Sequence, residues 1–328
     1  MKRDIGEAEL RGPCVPKRSL GTRTWFVVLV FVATSLMPSQ STFADDEKFP
    51  AELVEFEPIE KNPIFVASGE GHWDVKIRER GFILKEDDGY KMWYTGYDGT
   101  REGTKMLGLA TSEDGVTWTP CDDNPIYDDH WVEDMMVVKL DGVYYMFAEG
   151  SMDQAQLLTS NDGVHWTRER TLDVRLKNGE PIPPGPYGTP TAWHEGDTWY
   201  LFYERRDQGI WLATSKDMKV WTNRQDEPVL APGPGDYDRD LIAMNQIVKY
   251  DGRYYAYYHG ASNAQKPNLW TTNAAVSDDL IHWKKYAGNP LFPVSANKSS
   301  GILIPDGKRF RLYTMHNEVH VHFPAGVK

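Results

Sequence analysis

An aspartate followed four positions later by a tryptophan recurs along this chain, at Asp114–Trp118, Asp162–Trp166, Asp217–Trp221 and Asp279–Trp283. The tryptophans follow one another at intervals of 48, 55 and 62 residues. A unit that recurs at a period of this size is typical of a repeat architecture, in which each copy is one supersecondary unit. The phrase therefore predicts a chain built from similar modules rather than one with a single irregular core.

Each copy of the phrase follows two strand-like runs joined by a tight turn. In the second copy, Asp134–Leu140 and Val143–Gly150 flank Asp141-Gly142. Asp-Gly between alternating apolar runs is a strong hairpin signal. Similar turns occur at Asp88-Gly89, Gly196-Asp197, Asp251-Gly252 and Asp306-Gly307. Five hairpins, with no sustained helical period, predict an all-β fold: a five-bladed β-propeller with four-stranded antiparallel blades.

The last module lacks its Asp/Trp strand. We therefore expect the segment from Val54 to Phe65 to supply the outer part of that blade and close the ring. Closure of this kind removes open sheet edges. Nothing in the chain separates a second domain, and we expect a monomer.

The N-terminal segment has the order of a secretory signal peptide. A basic region precedes the apolar run Trp25–Met37, and Thr42-Phe43-Ala44 follows as a small-x-small site. The apolar run is short for a bilayer span, which needs roughly 20 residues. We predict a signal peptide at residues 1–44 and a propeller domain at residues 45–328, hence a secreted or periplasmic protein without further membrane association. An uncleaved anchor or a downstream start codon are the alternatives.

The formal net charge of −12 disfavours nucleic-acid binding, because an acidic surface repels phosphates.

The chain resembles the five-bladed β-propeller glycoside hydrolases of the family 43 and family 32 type over residues 60–318. The resemblance is carried by the Lys91–Gly96 run (Lys-Met-Trp-Tyr-Thr-Gly), the Asp-Gly-Val-x-Trp phrases and the number of blades. It implies a glycosidase that cleaves oligo- or polysaccharide, of plant or algal origin, and needs no cofactor. A non-catalytic propeller that binds carbohydrate or protein is the alternative.

The resemblance also implies three acids that project into an axial funnel from the first three blades: a base or nucleophile, an orienting acid and a proton donor. Asp134 stands at the head of the second inner strand and is the predicted orienting acid. The equivalent residue in blade 1 is Arg80, so Asp74 is the hypothetical base or nucleophile, with Glu79 as substitute. Trp73-Asp74 resembles Tyr127-Asp128 and Tyr237-Asp238, so a structural loop role for Asp74 is the alternative.

Blade 3 departs from the family pattern, because Gly188-Thr189-Pro190 stands where relatives carry Glu-Gly-Pro. A replacement acid can be sought at the ends of the second strands, which run antiparallel to the first and return to the same mouth. These ends are Thr95, Glu149, Glu204, His259 and Thr314. Glu204 is the predicted proton donor and His259 the second choice, since an imidazole can donate a proton near neutral pH.

The remaining candidates are substrate contacts and metal sites. Paired arginine donors could clamp an anionic sugar substituent, and aromatic rings could stack on a sugar. The predicted substrate-binding residues are Trp73, Arg78, Glu149, Tyr187, Arg205, Asn245 and His316, with Trp131 as a further stacking candidate. Two clusters could ligate a metal: Asp236-x-Asp238-x-Asp240 and His316-x₃-His320-x-His322. We nevertheless predict that catalysis needs no metal. A structural Ca²⁺ in the central channel is the alternative.

Overall fold

The computed structural model describes residues 49–78, 80–264 and 266–326. The predicted signal peptide and Glu79 lie outside these residues. The described chain forms five small β-sheets arranged as the blades of a propeller, which confirms the predicted fold class. Over the same residues, no helix is long and apolar enough to cross a membrane.

The chain begins with a short helix and the strand that closes the ring. These are α1 (Ala51–Val54) and β1 (Phe56–Pro58). Blade 1 follows with β2 (Lys76–Ile77), β3 (Phe82–Glu86), β4 (Gly89–Tyr97), β5 (Met106–Ser112) and β6 (Thr119–Pro120). Its inner strand is split, because β2 and β3 pair with different parts of β4 on either side of Arg80.

Blades 2 and 3 occupy residues 133–223. Blade 2 consists of β7 (Glu133–Leu140), β8 (Val143–Gly150), β9 (Gln154–Ser160) and β10 (Thr167–Thr171). Blade 3 consists of β11 (Asp173–Arg175), β12 (Thr191–Glu195), β13 (Thr198–Glu204), β14 (Ile210–Ser215) and β15 (Val220–Asn223). The four-stranded antiparallel pattern is extended here, since β11 adds a fifth strand parallel to β15.

Blades 4 and 5 complete the ring. Blade 4 consists of β16 (Leu241–Tyr250), β17 (Arg253–Ala261), β18 (Trp270–Ser277) and β19 (Lys284–Lys285), preceded by a 3₁₀ turn at Asp236–Asp238. Another 3₁₀ turn, Val294–Ala296, leads to blade 5, with β20 (Gly301–Asp306), β21 (Arg309–Met315) and β22 (Val319–Pro324). Strand β1 pairs antiparallel with β22, so an N-terminal segment closes the last blade as predicted.

The Asp/Trp phrase forms the corner between the third and fourth strands of each full blade. In blade 1, Oδ1 of Asp114 accepts hydrogen bonds from the backbone N–H groups of Val116 and Thr117, both at 2.7 Å. Asp162 and Asp279 cap their turns in the same way. Trp221 is fully buried, so the phrase supplies turn geometry and core packing rather than a binding surface.

Candidate active site

The heads of the five inner strands meet around the propeller axis. Equivalent residues stand twelve positions before the middle of each second strand: Arg80, Asp134, Thr189, Asn245 and Ser300. Arg80, Asp134, Thr189 and Ser300 have φ values of 33°, 44°, 44° and 57°. A positive φ is unfavourable for non-glycine residues, above all for a β-branched threonine. Strained backbone of this kind persists only where its surroundings enforce it, and it often marks functional sites.

The Arg80 side chain fills the axis. It is fully buried, and its guanidinium donates hydrogen bonds to the backbone oxygens of Pro190 and Met244, both at 2.7 Å, and to Oγ1 of Thr191 at 2.9 Å. It also donates to the backbone oxygen of Asp134. Burial lowers the pKa of Arg80 to about 10, against the opposing effect of the negative charges of Asp134 and Glu149. One cation therefore ties together the inner strands of blades 2, 3 and 4.

A cleft of about 430 Å³ lies at this mouth. It brings together five of the residues that the sequence predicts for the site, from four different blades: Arg78, Asp134, Glu149, Glu204 and His259. Glu149, Glu204 and His259 are 7%, 5% and 4% exposed, so these polar groups are held in a largely dry environment. A site of this kind can shift pKa values and strengthen electrostatic interactions.

Gly188 separates two of these carboxyl groups. Its N–H donates to Oε1 of Glu204 at 3.0 Å, and the N–H of Thr189 donates to Oε2 of Glu149 at 2.9 Å. A Cβ atom on residue 188 would lie 1.9 Å from Oε2 of Glu149 and 2.9 Å from Oε1 of Glu204. The two oxygens are consequently less than about 5 Å apart, since their separation cannot exceed the sum of those distances. The carboxyl groups of β8 and β13 thus occupy the space around the position where the family 43 pattern has its glutamate.

The environments of the two glutamates differ. Burial raises the pKa of Glu149 well above its usual value, and the nearby charges of Asp134, Glu133 and Glu204 raise it further, against the opposing hydrogen bond from the N–H of Thr189. Burial also raises the pKa of Glu204, but backbone N–H groups of Asp207 and Gly188 donate to its carboxylate and oppose the rise. Hydrogen bonds to the charged form favour ionisation. Of the two, Glu149 is therefore the carboxyl that keeps a proton more readily.

His259 is positioned from behind by Asn245. The fully buried Asn245 lies with Nδ2 3.0 Å from Nδ1 of His259, and the imidazole edge packs on Trp270 with centroids 5.1 Å apart. With the amide as donor, Nδ1 of His259 accepts this hydrogen bond, and Nε2 is then the ring nitrogen that carries a proton. Asn245 thus orients a cleft residue, whereas the sequence predicts a substrate contact for it.

Asp74 does not line the cleft. It is 1% exposed, and its Oδ2 accepts hydrogen bonds from the hydroxyl of Ser68 at 3.1 Å and from the N–H of Ser68 at 3.3 Å. Its Cβ lies against Gly96, as the Cβ of Asp238 lies against Gly260 in blade 4. The repeated aromatic-Asp pair is accordingly a packing device in these two blades, and the geometry favours the structural alternative for Asp74.

Four predicted substrate contacts also lie outside the cleft lining. The Trp73 ring packs on Tyr94 with centroids 5.7 Å apart. The Tyr187 hydroxyl donates to the backbone oxygen of Leu172 at 2.9 Å. Arg205 donates to the backbone oxygen of Pro183 at 2.7 Å, and His316 lies with Nδ1 3.1 Å from the Ser299 hydroxyl. These residues are engaged in the scaffold, and it is the next residue, Arg206, that lines the cleft.

Sequence reasoning missed the loops that follow the second strands. Asp153, Arg206 and Asp207 line the cleft, and all three have positive φ values between 53° and 56°. They lie just after β8 and β13, at the same mouth as Glu149 and Glu204. Extending the comparison of blades a few residues past each second strand would have found them.

The metal hypotheses find no support among the residues that the structure describes, where no group of three or more His, Cys, Asp or Glu side chains could hold a metal ion. Asp238 is instead paired with Lys285, and Nε2 of His320 lies 2.6 Å from Glu318. The axial carbonyl oxygens of Pro190 and Met244 accept hydrogen bonds from Arg80, and a structural Ca²⁺ in the central channel stays a prediction.

No protein-family model matches the chain. It is 24% identical over 245 residues to a 1,2-β-oligomannan phosphorylase of Thermoanaerobacter sp., covering 69% of this chain and 77% of that protein. A solved structure from the GH130 family of mannoside phosphorylases aligns with a TM-score of 0.68 at 16% identity, covering 85% of this chain and 96% of that chain. That family contains glycoside hydrolases that target β-1,2-mannosidic linkages in Candida mannan. The β-1,2-mannobiose phosphorylase of Listeria innocua aligns with a TM-score of 0.61 at 14% identity, covering 82% and 96%. Membership of family 43 or 32 is not confirmed, and the chain has the five-bladed propeller fold that glycoside hydrolases and mannoside phosphorylases share.

Proposed function

We propose that this protein is a glycoside hydrolase of the GH130 type that acts on β-1,2-linked mannosides. The observation that carries the proposal is the buried carboxyl of Glu149, which lies less than about 5 Å from that of Glu204 and in one cleft with Asp134. Glycosidic cleavage requires one carboxyl that donates a proton and another that activates water or attacks, and the cleft offers Glu149 for the first role and Asp134 for the second. The mannoside substrate is suggested by the two phosphorylases and the GH130 structure to which the chain is similar.

Hydrolysis is favoured over phosphorolysis by the charge of the cleft. Five acidic side chains line it, Asp134, Glu149, Asp153, Glu204 and Asp207, against the two arginines Arg78 and Arg206. Arg78 is already paired with Glu133 at 2.6 Å. A phosphate ion beside several carboxylates in a poorly solvated site would be repelled, whereas water carries no such penalty. Phosphorolysis is the second candidate, since paired arginines suit phosphate and the curated relative is a phosphorylase.

In the proposed mechanism Glu149 is the proton donor, because its pKa is raised by burial and by neighbouring negative charge. Its proton passes to the glycosidic oxygen as the bond to the anomeric carbon breaks. Asp134 accepts a proton from the water that attacks this carbon, and Glu204 keeps the Glu149 carboxyl protonated. After product release, Asp134 loses its proton to solvent and Glu149 regains one. The pair itself is too close for the acid and base of an inverting site, which stand roughly 6.5 to 9.5 Å apart.

The test of the reaction type is product analysis with and without inorganic phosphate. β-1,2-linked manno-oligosaccharides should be cleaved to mannose and shortened chains at a rate that phosphate does not change. Formation of mannose 1-phosphate, with a rate that depends on phosphate, would instead establish the phosphorylase. Binding of these oligosaccharides without turnover in either condition would support the non-catalytic alternative.

The roles of the acids can be separated by the leaving group. Glu149→Gln should lower kcat on oligosaccharides about 10²- to 10⁴-fold, and much less on an aryl mannoside whose leaving group needs no proton. Asp134→Asn should lower kcat on both substrates. The exposed Glu227 lies outside the cleft lining, so Glu227→Gln is a matched control that should remain fully active. If Asp134→Asn, rather than Glu149→Gln, kept most of its kcat on the aryl mannoside, Asp134 would be the proton donor.

We also propose that residues 1–44 direct export and are removed. The N-terminal sequence of the protein recovered from its native host should then begin close to Asp45. A protein that keeps its first residues would contradict this proposal without affecting the assignment of the cleft.

A further inference from the structure

The cleft continues along the mouth of blades 1 and 2. A second cavity of about 500 Å³ shares Arg78 and Asp153 with the cleft. A third cavity of about 550 Å³ shares Trp131 with the second. Each has a volume in the range of small-molecule sites, roughly 300 to 1,000 Å³. The shared residues show that the three cavities adjoin one another in a row, which we name the groove, with Trp131 at the boundary between the second and the third.

The Trp131 ring is held in a fixed orientation. Its Nε1 donates to Oε1 of Glu133 at 2.7 Å, and its backbone oxygen accepts a hydrogen bond from Nε2 of Gln156 at 2.6 Å. The ammonium of Lys105 lies 4.3 Å from the ring centroid. Lys105 is itself 2% exposed and donates to the backbone oxygens of Arg101 and Gly103 at 3.1 and 2.8 Å. The indole is thus anchored at its nitrogen and against a buried cation, yet it remains half-buried and lines both cavities.

The groove around Trp131 combines this rigid apolar surface with polar side chains. Asp128, His130 and Gln154 line the third cavity, and Tyr97 lines the second. A sugar ring presents an apolar face bordered by hydroxyl groups, so an aromatic platform rimmed by carboxylate, imidazole and amide groups matches its chemistry. Because the ring is already oriented, binding would require little further ordering of the protein.

We propose that Trp131 is the stacking platform of a distal sugar subsite, so that the groove binds a glycan chain of several units extending away from the cleft. This inference rests on the proposed function, because it takes the occupant of the groove to be the substrate chain. In this proposal Trp131 gives the protein its preference for long over short oligosaccharides. Asp134 and the glutamate pair act at the glycosidic bond that is cleaved.

The test compares affinity for linear, neutral β-1,2-linked manno-oligosaccharides from disaccharide to hexasaccharide. Calorimetric titration in the Asp134→Asn background avoids turnover. Affinity should rise about tenfold between short and long chains, equivalent to about 1.4 kcal/mol. Adding Trp131→Ala should abolish this rise and leave affinity for the disaccharide unchanged, whereas Trp131→Phe, which keeps an aromatic face, should retain most of it.

Trp211→Ala is the matched control. Trp211 is also half-buried, and its Nε1 donates to the backbone oxygen of Asp226 at 2.9 Å, but it does not line the groove. The dependence on chain length should persist in this variant. An unchanged dependence in Trp131→Ala, or equal affinity for all chain lengths in the parent protein, would overturn the subsite. Length-dependent binding, together with a parent protein that shows no turnover of these oligosaccharides, would leave the subsite standing and refute the proposed hydrolase instead.

Discussion

Replacing Arg80 with methionine tests whether the axial cation organises the candidate site. Its guanidinium contacts the backbone oxygens of Asp134, Pro190 and Met244. These lie at or next to the strand heads of blades 2, 3 and 4. Pro190 follows the Gly188-Thr189 pair that binds both glutamates, and Met244 precedes the asparagine that holds His259. Methionine has a similar length but no donor, so it removes these contacts without leaving a large void.

The expected loss of stability follows from these contacts. Three buried carbonyl oxygens lose their charged donor, at about 1–3 kcal/mol each. The fall of the Arg80 pKa from 12.5 to about 10 corresponds to about 3 kcal/mol of burial cost, which the substitution removes. The net destabilisation is then about 3 kcal/mol, or a Tm lower by about 5 °C for a domain of this size. Because the lowered pKa changes protonation only between pH 10 and 12.5, where stability rises with pH, the loss should be constant around neutral pH.

The effect on activity should exceed the effect on stability. A displacement of about 1 Å at a catalytic group can cost about 10²-fold in rate, and we expect kcat to fall by about this factor at temperatures where the variant is folded. The control is Arg311→Met in blade 5, where Arg311 is also largely buried and binds Oδ2 of Asp306 at 2.7 Å. It should lower Tm and leave kcat unchanged. An Arg80→Met protein with the kcat of the parent would refute the organising role of the axis.

Three further substitutions probe the cleft and its surroundings. Glu149→Gln should raise Tm at pH 7 although it lowers kcat on oligosaccharides: a carboxyl whose pKa is raised by folding costs stability above its unfolded pKa of 4.5, so the gain should vanish near pH 4 in a Tm–pH series. Gly188→Ala should lower kcat at least about tenfold, since its Cβ would displace the Glu149 carboxylate, whereas Gly142→Ala strains a turn in open space and should affect only stability. Asp74→Asn should lower Tm by weakening the Ser68 contacts and keep kcat near that of the parent; loss of turnover in a folded variant would restore Asp74 as a catalytic acid.

The repeat made the fold predictable, because each hairpin and each Asp/Trp corner is encoded by neighbouring residues. Strand alternation and antiparallel return also placed Glu149, Glu204 and His259 at one mouth from sequence spacing alone. The predictions that differ from the structure concern side-chain direction. Trp73 and Tyr187 lie near strand ends that reach this mouth, but their rings pack into the scaffold. Spacing along the chain cannot distinguish a residue that faces the axis from one that packs between blades.

The position of Arg80 shows a second limit of sequence reasoning. In register it stands where an acid was expected, and the sequence alone gives no reason for a cation there. The cation is explained only by the folded structure, because the backbone oxygens that Arg80 binds belong to residues 54, 110 and 164 positions away in the chain. A hydrogen-bond network that joins four blades at one point cannot be predicted from the sequence pattern of a single blade.

Gly188 leaves room for the Glu149 carboxylate at the head of the third inner strand. In the family 43 pattern a glutamate at the head of the third inner strand reaches into the funnel; here that residue has no side chain, and the Glu149 carboxylate comes within 1.9 Å of where its Cβ would lie. A Gly188→Glu substitution would thus place a third carboxyl against Glu149 and Glu204. Burial raises the pKa of both groups, and the charge of Glu204 raises the pKa of Glu149 further. Each further buried carboxyl would cost stability at neutral pH. The close packing of Glu149 and Glu204 therefore requires a glycine at position 188, and the absence of an acid there is compatible with the proposed catalytic cleft.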